Sequence, residues 1–474
     1  MLLPRLLLAP VLLASAAVAA DRAADPRPNI IVILADDLGW GDLGCYGQAF
    51  TRTPNLDRMA AEGMRFTQFY AGSAICGPSR CVLMTGLHTG HARIRGNQHS
   101  NLLPEDETVA KLLRRAGYAT GLIGKWGLGE NSSLTGLPSR QGFDYFFGYR
   151  THQEAHNHFP PYLWRNDERV PLPNPVDPAH QGYTDHPVVF AEDRFLDEAL
   201  RFLDDHRAQP FFLYFASALP HANNERFWAT GDGMEVPDYG AYATQPWPDP
   251  NKGLAAMITR LDRDVGRLLA HLRELGLADN TLVLFASDNG PHHEGGQDMA
   301  ILDSNGRWRG IKRDLTEGGL RVPGIAWWPG QIAPGQVSDQ VGGFQDLLPT
   351  AAELARVKPI APTDGLSLVP ALRGQAQAPR PVMYWEITIW GSNQAVLLDG
   401  RWKAIRMSFR HAPLVLYDLA NDPDETVDMA AQHPDLIARA ETAMKAEHVD
   451  AADAPLVDAG PKPPADPTKR PPWN

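Results

Sequence analysis

Two groups of residues in this chain have types and spacings suited to chemistry on an anion. The first is Ser73 to Arg80, SAICGPSR, which places Cys76, Pro78 and Arg80 at two-residue steps. A proline two residues after Cys76 fits the first turn of a helix, where amides and dipole favour an anion. Arg80 adds a cation one turn further on. The second group is a pair of acid clusters, Asp36-Asp37 and Asp288-Asn289. Carboxylates with an amide oxygen form an all-oxygen set for a hard divalent cation such as Ca²⁺ or Mg²⁺. Adjacent aspartates repel unless a cation or a basic group lies between them. Taken singly, DD and SDNG also read as ordinary loop or helix-cap residues, and a cysteine as core filler or half a disulfide.

These residues need elements to position them. PNIIVILADD, from Pro28 to Asp37, is a short apolar run that ends in carboxylates and reads as a buried parallel strand. TPNLDRMAAEG predicts a helix with Thr53 before Pro54 at its start. ETVAKLLRRAGYATGLIGKW reads as helix, glycine stop and strand, and EDRFLDEALRFLDDHRAQPFFLYFAS repeats that order. In LAAMITRLDRDVGRLLAHLRELG, Ile258, Leu261, Val265, Leu268 and Leu272 recur at three- and four-residue steps, which predicts a helix. NTLVLFASDNG is another buried strand. Alternating strands and helices predict an α/β fold with a mostly parallel sheet, whose ligands bind beyond the carboxyl ends of the strands. Both acid clusters stand at such ends. From about residue 375 the pattern changes to PVMYWEI, NQAVLLDGRWKAIR and PLVLYDL, with a hairpin signal at Asp399-Gly400 and a closing helix in PDLIARAETAMKAEHV. The expected organisation is a catalytic α/β domain over 21–375 and a smaller α+β subdomain over 376–474, ending in a proline-rich tail.

Residues 1–20, MLLPRLLLAPVLLASAAVAA, set one arginine before an apolar run that closes in small residues. That pattern is a secretory signal peptide, with Ala17-Val18-Ala19 placing cleavage near Ala20 or Asp21. The run is shorter than the ~20 residues a membrane span needs, so the expected location is periplasmic or extracellular, without stable membrane insertion. A net charge of −12 and no basic run argue against nucleic acid as a partner. Three cysteines, Cys45, Cys76 and Cys81, are too few for a disulfide scaffold, and the odd count leaves at least one unpaired. Cys45 with Cys81 is a possible pair.

CGPSR resembles the C-x-P-S-R signature of the type I, formylglycine-dependent sulfatases of the alkaline phosphatase-like superfamily, and so does its extension to MTGLHTG. NIIVILADDLGWGDLGCYG is similar to the family's N-terminal metal strand, GYATGLIGKWGLG to its G-K-W-x-L-G block, and LFASDNG to its second metal strand. RGIKRDLTEGGLRVP resembles the late lysine block, and LYDLANDPDET the C-terminal subdomain signature. The blocks run in order from about residue 28 to 430.

The resemblance implies that Cys76 is oxidised after synthesis to formylglycine, by a formylglycine-generating or sulfatase-maturating enzyme. The hydrated aldehyde would be the nucleophile. It implies that Asp36, Asp37, Asp288 and Asn289 hold Ca²⁺ (Mg²⁺ less so), with the residue at Cys76 touching the same ion. Arg80 and Lys125 would orient the formylglycine hydroxyls, and Lys125, His221 and Lys312 would contact the sulfate and its leaving oxygen. General chemistry agrees: a sulfate ester is anionic, so its site needs a metal, an arginine and lysines. A covalent intermediate splits hydrolysis into two easier steps, and His221 or Lys312 would protonate the leaving alcohol.

One position departs from the pattern. The family block reads G-K-W-H-L-G, and its histidine takes a proton when sulfate is expelled; here Gly127 stands in its place. Another histidine takes that role, or water or Lys125 acts as the base, or catalysis is impaired. THQEAHNHFPPYLW offers His152, His156 and His158, and His156 is the favoured candidate because Asn157 flanks it in a polar, turn-like stretch. Trp164, and Tyr162 beside Arg165, are candidates to stack on a sugar ring. The expected function is a sulfatase acting on sulfated carbohydrates. The alternatives are a phosphate or phosphonate ester hydrolase of the same superfamily and a non-catalytic glycan-binding pseudoenzyme.

Overall fold

In the computed structural model, residues 27–97, 101–129, 134–175, 182–389, 391–407, 412–451 and 456 are described. The expected signal peptide at 1–20 and most of the proline-rich tail lie outside them.

A ten-stranded sheet organises the larger part of the chain. Its strands are β1 (Asn29–Ala35), β2 (Met64–Phe66), β4 (Ala119–Lys125), β5 (Tyr145–Tyr149), β6 (Tyr162–Arg165), β7 (Glu168–Pro171), β8 (Phe211–Ala216), β9 (Thr281–Ser287), β10 (Gly324–Trp327) and β11 (Gln336–Ser338). The short β3 (Phe69–Tyr70) pairs apart from it with β12 (Gly342–Gly343). The spatial order is β11-β2-β10-β9-β1-β8-β4-β5-β6-β7. The five central strands β9, β1, β8, β4 and β5 run parallel. Strand β10 lies antiparallel to β9, and β6 antiparallel to β5.

Strand β1 shows why the centre reads as unbroken apolar sequence. All seven of its residues are buried. Ile31, Ile33 and Ala35 enter one core, with helices α1 (Pro54–Glu62), α4 (Ala191–His206) and α6 (Asp249–Glu274). Ile30, Val32 and Leu34 enter the other, with α2 (Cys76–Thr85), α3 (Val109–Arg115) and the helix Leu347–Ala355. Covered on both faces, a parallel strand has no polar side to present. The same two cores keep the cysteines apart. Cys81 belongs to the second and Cys45 packs against the first, across the sheet, so the possible Cys45–Cys81 pair does not form and all three cysteines are free.

A four-stranded antiparallel sheet follows: β13 (Val382–Thr388), β14 (Ser392–Leu398), β15 (Trp402–Arg406) and β16 (Val415–Asp418). Asp399 and Gly400, both at positive φ, turn the chain between β14 and β15. The closing helix Pro434–Ala446 packs on β14 through Ala440, Ala443 and Met444. No helix among the described residues is long and apolar enough to cross a membrane.

Trp164 and Tyr162 stand on strand β6, not in a loop. The Arg150 guanidinium lies 3.6 Å over the Trp164 ring, and that of Arg169 lies 4.3 Å over Tyr162. Glu154 accepts hydrogen bonds from both aromatic side chains. An arginine thus stacks on each of these half-buried rings.

Candidate active site

The carboxyl ends of β1 and β9 bring the two acid clusters together. Asp288 donates its amide to the Ala35 carbonyl, and the Asp288 carboxylate accepts from the Asp37 amide at 3.0 Å. Asn289 Nδ2 donates to Asp37 Oδ1 at 2.6 Å. Asp37 adopts φ 65°, a left-handed conformation that aspartate tolerates better than most residues and that turns the chain at the strand end. All four side chains are buried.

Cys76 is the first residue of α2, all of whose residues are buried. Arg80, one turn on, faces the same way. Its Nε donates to Asp288 Oδ2 at 3.0 Å and its Nη1 to the Lys125 carbonyl at 2.8 Å. Lys125, the last residue of β4, donates to Asp36 Oδ2 at 2.7 Å. His221, five residues past β8, lies with Nε2 3.4 Å from Asp37 Oδ2. Lys312 closes the ring, 2.7 Å from Asp37 Oδ2 and 3.2 Å from His221 Nε2. The structure thus gathers Asp36, Asp37, Cys76, Arg80, Lys125, His221, Asp288, Asn289 and Lys312 into one buried cluster.

The electrostatics follow from burial and pairing. Burial alone would raise Asp36, but Lys125, His221 and Arg80 outweigh it and hold the carboxyl well below its ordinary value. Asp288, buried beside Asp36, is pushed well up. Burial, and then Lys312, push His221 well below the usual imidazole range. His221 Nδ1–H donates to the Ala222 carbonyl at 2.7 Å, which leaves Nε2 as the acceptor facing Lys312. Despite its burial, Lys312 is held protonated by Asp37 and Glu294.

The residues fit a divalent cation. Asp36 Oδ1 and Asn289 Oδ1, one from each strand end, are buried and meet no hydrogen-bond donor among the described residues. Ligand atoms of Asp36, Cys76 and Asp288 lie within 4.8 Å of one another. Buried oxygens without donors are costly unless something positive meets them. An all-oxygen donor set around that position suits a hard ion.

Two further residues, Asn97 and Glu294, belong to this site. Asn97 accepts from the Gly77 amide at 2.9 Å, with its Nδ2 3.5 Å from Cys76 Sγ. Glu294 accepts from Lys312 at 3.1 Å and pairs with Arg313. The run HHEG around Glu294 was the only hint of it in the sequence.

The histidines of the 152–158 segment separate. Gly127 has φ 72°, and a Cβ there would lie 2.5 Å from His152 Cε1. The His152 imidazole therefore fills the volume of a side chain at 127. His156 lies elsewhere: its ring stacks on His221 at 5.0 Å with the planes 10° apart, and Glu225 Oε2 is 3.0 Å from its Nδ1. His158 is buried against Phe190, pushed down to about 4 by burial, and bonds the His221 carbonyl through Nε2.

Comparison with known proteins points the same way. The family model described as Sulfatase matches residues 28–357, and the model described as N-sulphoglucosamine sulphohydrolase, C-terminal, matches 307–450. N-acetylgalactosamine-6-sulfatase of Sus scrofa is 35% identical, over 83% of this chain and 74% of its own length. Arylsulfatase A of Homo sapiens is 34% identical, over 87% and 85%. Among solved structures, Ps i-CgsB in complex with k-i-k-neocarrahexaose superposes with a TM-score of 0.74 at 27% identity, over 89% of this chain and 92% of that one. PsFucS1 sulfatase from Pseudoalteromonas sp. does so with 0.71 at 26%, over 92% of each. With the strand-end acids, the helix-borne cysteine and these relatives in agreement, the chain belongs to the sulfatase family of the alkaline phosphatase-like superfamily and is a sulfuric ester hydrolase.

Proposed function

We propose that this protein hydrolyses sulfate esters on carbohydrates, through a formylglycine formed from Cys76 by a maturating enzyme. The observation that carries the reading is the placement of Cys76 at the start of α2, among Asp36, Asp288, Arg80 and Lys125. The Cys76 sulfur stands where an oxygen of the hydrated aldehyde would lie. Asp36, Asp37, Asp288 and Asn289 would hold Ca²⁺, which supplies Lewis-acid stabilisation of the sulfate and of the nucleophile beside it.

The chain's own residues divide the remaining work. Arg80, fixed by Asp288 and the Lys125 carbonyl, orients the nucleophile. Lys125 stands on Asp36 where it can meet a sulfate oxygen. Lys312 carries a proton against a His221 nitrogen that accepts. Lys312 is accordingly the acid for the departing alcohol, and His221 binds and orients it. His152, whose ring fills the volume of a side chain at 127, takes the proton released when sulfate leaves, in place of the expected His156. Export to the periplasm or the exterior, and the division near residue 375, complete the reading.

The carbohydrate assignment draws support from the neocarrahexaose complex of one structural neighbour and the N-acetylgalactosamine name of a relative. The test is turnover of matured enzyme on defined sulfated saccharides, beside the matching phosphate esters. Mass spectrometry of the Cys76 peptide should show sulfur replaced by oxygen. Faster hydrolysis of the phosphate esters would overturn the assignment.

A further inference from the structure

We infer that Asn97 donates a hydrogen bond to a hydroxyl of matured residue 76 and so orients the nucleophile, with strand β13 of the small sheet holding Asn97 in place, an inference that rests on the reading of Cys76 as the formylglycine precursor. Asn97 Oδ1 accepts from the Gly77 amide at 2.9 Å, and Asn97 Nδ2 lies 3.5 Å from Cys76 Sγ. The first contact fixes the second. A backbone N–H can be accepted only by the carbonyl side of the carboxamide, so the amino side must face position 76. There Cys76 Sγ stands for a hydroxyl oxygen of the hydrated aldehyde, which accepts from Nδ2–H.

Asn97 lies between α2 and α3, and its anchor is distant in sequence. Arg95, two residues earlier, is buried. Its Nε donates to the Ala92 carbonyl at 2.9 Å and its Nη1 to Glu386 Oε1 of β13 at 2.7 Å. The Thr388 amide, at the end of β13, donates to the Arg95 carbonyl at 3.1 Å. A Cβ at Gly96 would lie 3.0 Å from the Thr388 carbonyl oxygen, so the segment runs close against that strand end. Side chains alternate along a strand. Met383, Trp385 and Ile387 share an apolar cluster with Ala74, Ile75 and Cys76, while Glu386 takes Arg95. One strand of the small sheet thus supports both residue 76 and the side chain that meets it.

This geometry has a chemical consequence. The carbon bearing two hydroxyls can turn about its bond to Cα, and only some of its staggered arrangements aim an oxygen at sulfur. A donor fixed beside one oxygen selects among them. It takes one lone pair of that oxygen and leaves the other. Asn97 is neutral, so it orients the nucleophile without adding to the charge that binds sulfate. Its loss should slow attack on every sulfate ester alike and leave sulfate affinity in place.

The test uses the full, matured, Ca²⁺-loaded enzyme, with the formylglycine content of each preparation measured by mass spectrometry. Asn97→Ala should lower kcat/KM per formylglycine by ~10–100-fold, equally for a small aryl sulfate and a sulfated saccharide. The dissociation constant of inorganic sulfate, read by calorimetry, should stay within about twofold. Asn97→Asp keeps an acceptor for the Gly77 amide but offers no donor, and should not recover the loss. Glu386→Gln weakens the hold on Arg95 and should lower kcat/KM by ~3–10-fold, an effect that should vanish in the Asn97→Ala background while its lower urea midpoint remains. Full activity in Asn97→Asp, a larger loss on the saccharide than on the aryl sulfate, or weaker sulfate binding in Asn97→Ala would overturn the role of Asn97. A Glu386→Gln effect on kcat/KM that persists without the Asn97 side chain would overturn that of β13. If the wild-type enzyme turns over with Cys76 unmodified, the formylglycine reading fails and the inference with it.

Discussion

Two buried ionic clusters, built from the same residue types, have opposite characters. One is the candidate active site, where Asp36, Asp37 and Asp288 face Arg80, Lys125 and Lys312. The other ties the large sheet region to the small sheet. There Lys403 of β15 lies 2.7 Å from Glu317 and 3.5 Å from Glu425, Arg321 pairs with Glu317, and Glu425 Oε2 accepts from the Glu317 amide at 2.7 Å. In this second cluster Glu317 is held at about 2 by Lys403 and Arg321 against the pull of burial. Glu425 Oε1 also lacks a hydrogen-bond donor among the described residues, with Lys403 Nζ 3.5 Å from it. In the candidate active site, Asp36 Oδ1 and Asn289 Oδ1, from two strand ends, lack a hydrogen-bond donor among the described residues, with Arg80 Nη2 3.6 Å from the first. Charge number does not distinguish the clusters, since each has as many cations as carboxylates. The difference lies in grouping: ligand atoms of Asp36, Cys76 and Asp288 converge within 4.8 Å of one another, while the second cluster has one unmet oxygen beside its lysine.

Substitutions can break this comparison. The largest effect should come from Cys76→Ala, which should bring turnover to background while leaving thermal stability within about 1 °C. Residual turnover on an aryl sulfate would remove Cys76 from its role. Lys403→Ala should do the reverse. It leaves Glu317 and Glu425 short of a buried cation, which costs about 3–5 kcal/mol, read as a lower urea midpoint. The folded fraction should still turn over, and a loss of kcat matching that of Cys76→Ala would erase the distinction between the clusters.

A smaller effect sharpens the view of the site. Gly127→His forces a side chain into the volume of the His152 ring and onto a positive-φ backbone, at a cost of about 1–3 kcal/mol. Combining it with His152→Gly should restore part of that stability. An unchanged denaturation midpoint in the single variant would show that His152 moves aside without strain.

The smallest effect concerns a third, half-exposed group where His91 meets Asp364. The hydrogen bond that His91 Nδ1–H donates to Asp364, at 2.9 Å, raises His91 above its ordinary value, against partial burial and the nearby Arg95. Burial would raise Asp364, but the bond from His91 and the charge of His88 lower it. The contribution of His91 is full below its unfolded value and is lost as pH rises through its raised one. That of Asp364 is full above its unfolded value and is lost as pH falls through its lowered one. The pair is thus strongest between about pH 4 and 6.5, and raising the pH to 8 should cost under about 1 kcal/mol. His91→Ala should flatten that slope in denaturation curves taken across the range.

Much of the fold was legible along the chain. β1, β8 and β9 are buried on both faces, and such strands leave unbroken apolar runs. α6 leaves its period of three and four residues because one face alone meets the core. The C-terminal hairpin announced itself at Asp399-Gly400, where two positive φ angles restrict the residue choice. The site was legible in its motif residues, which strand ends and a helix start must carry. Its supporting residues were not: Asn97, Glu225 and Glu294 are ordinary polar residues until the fold sets them beside Cys76, His156 and Lys312. The arginines over Trp164 and Tyr162 were not legible either, because an aromatic residue in sequence says nothing of which faces its neighbours cover.

The sequence by itself determined the layered α/β architecture, the acid pairs at two strand ends and the cysteine at a helix start, because these follow from local periodicity and short-range spacing. Only the tertiary structure decided which histidine stands where. His152 against Gly127, His156 on His221 and His158 beneath the His221 carbonyl occupy three places though they lie within seven residues. Their separation is set by packing across β4, β8 and α5 (Asn224–Thr230), and contacts between segments so distant in sequence leave no periodic trace in the chain.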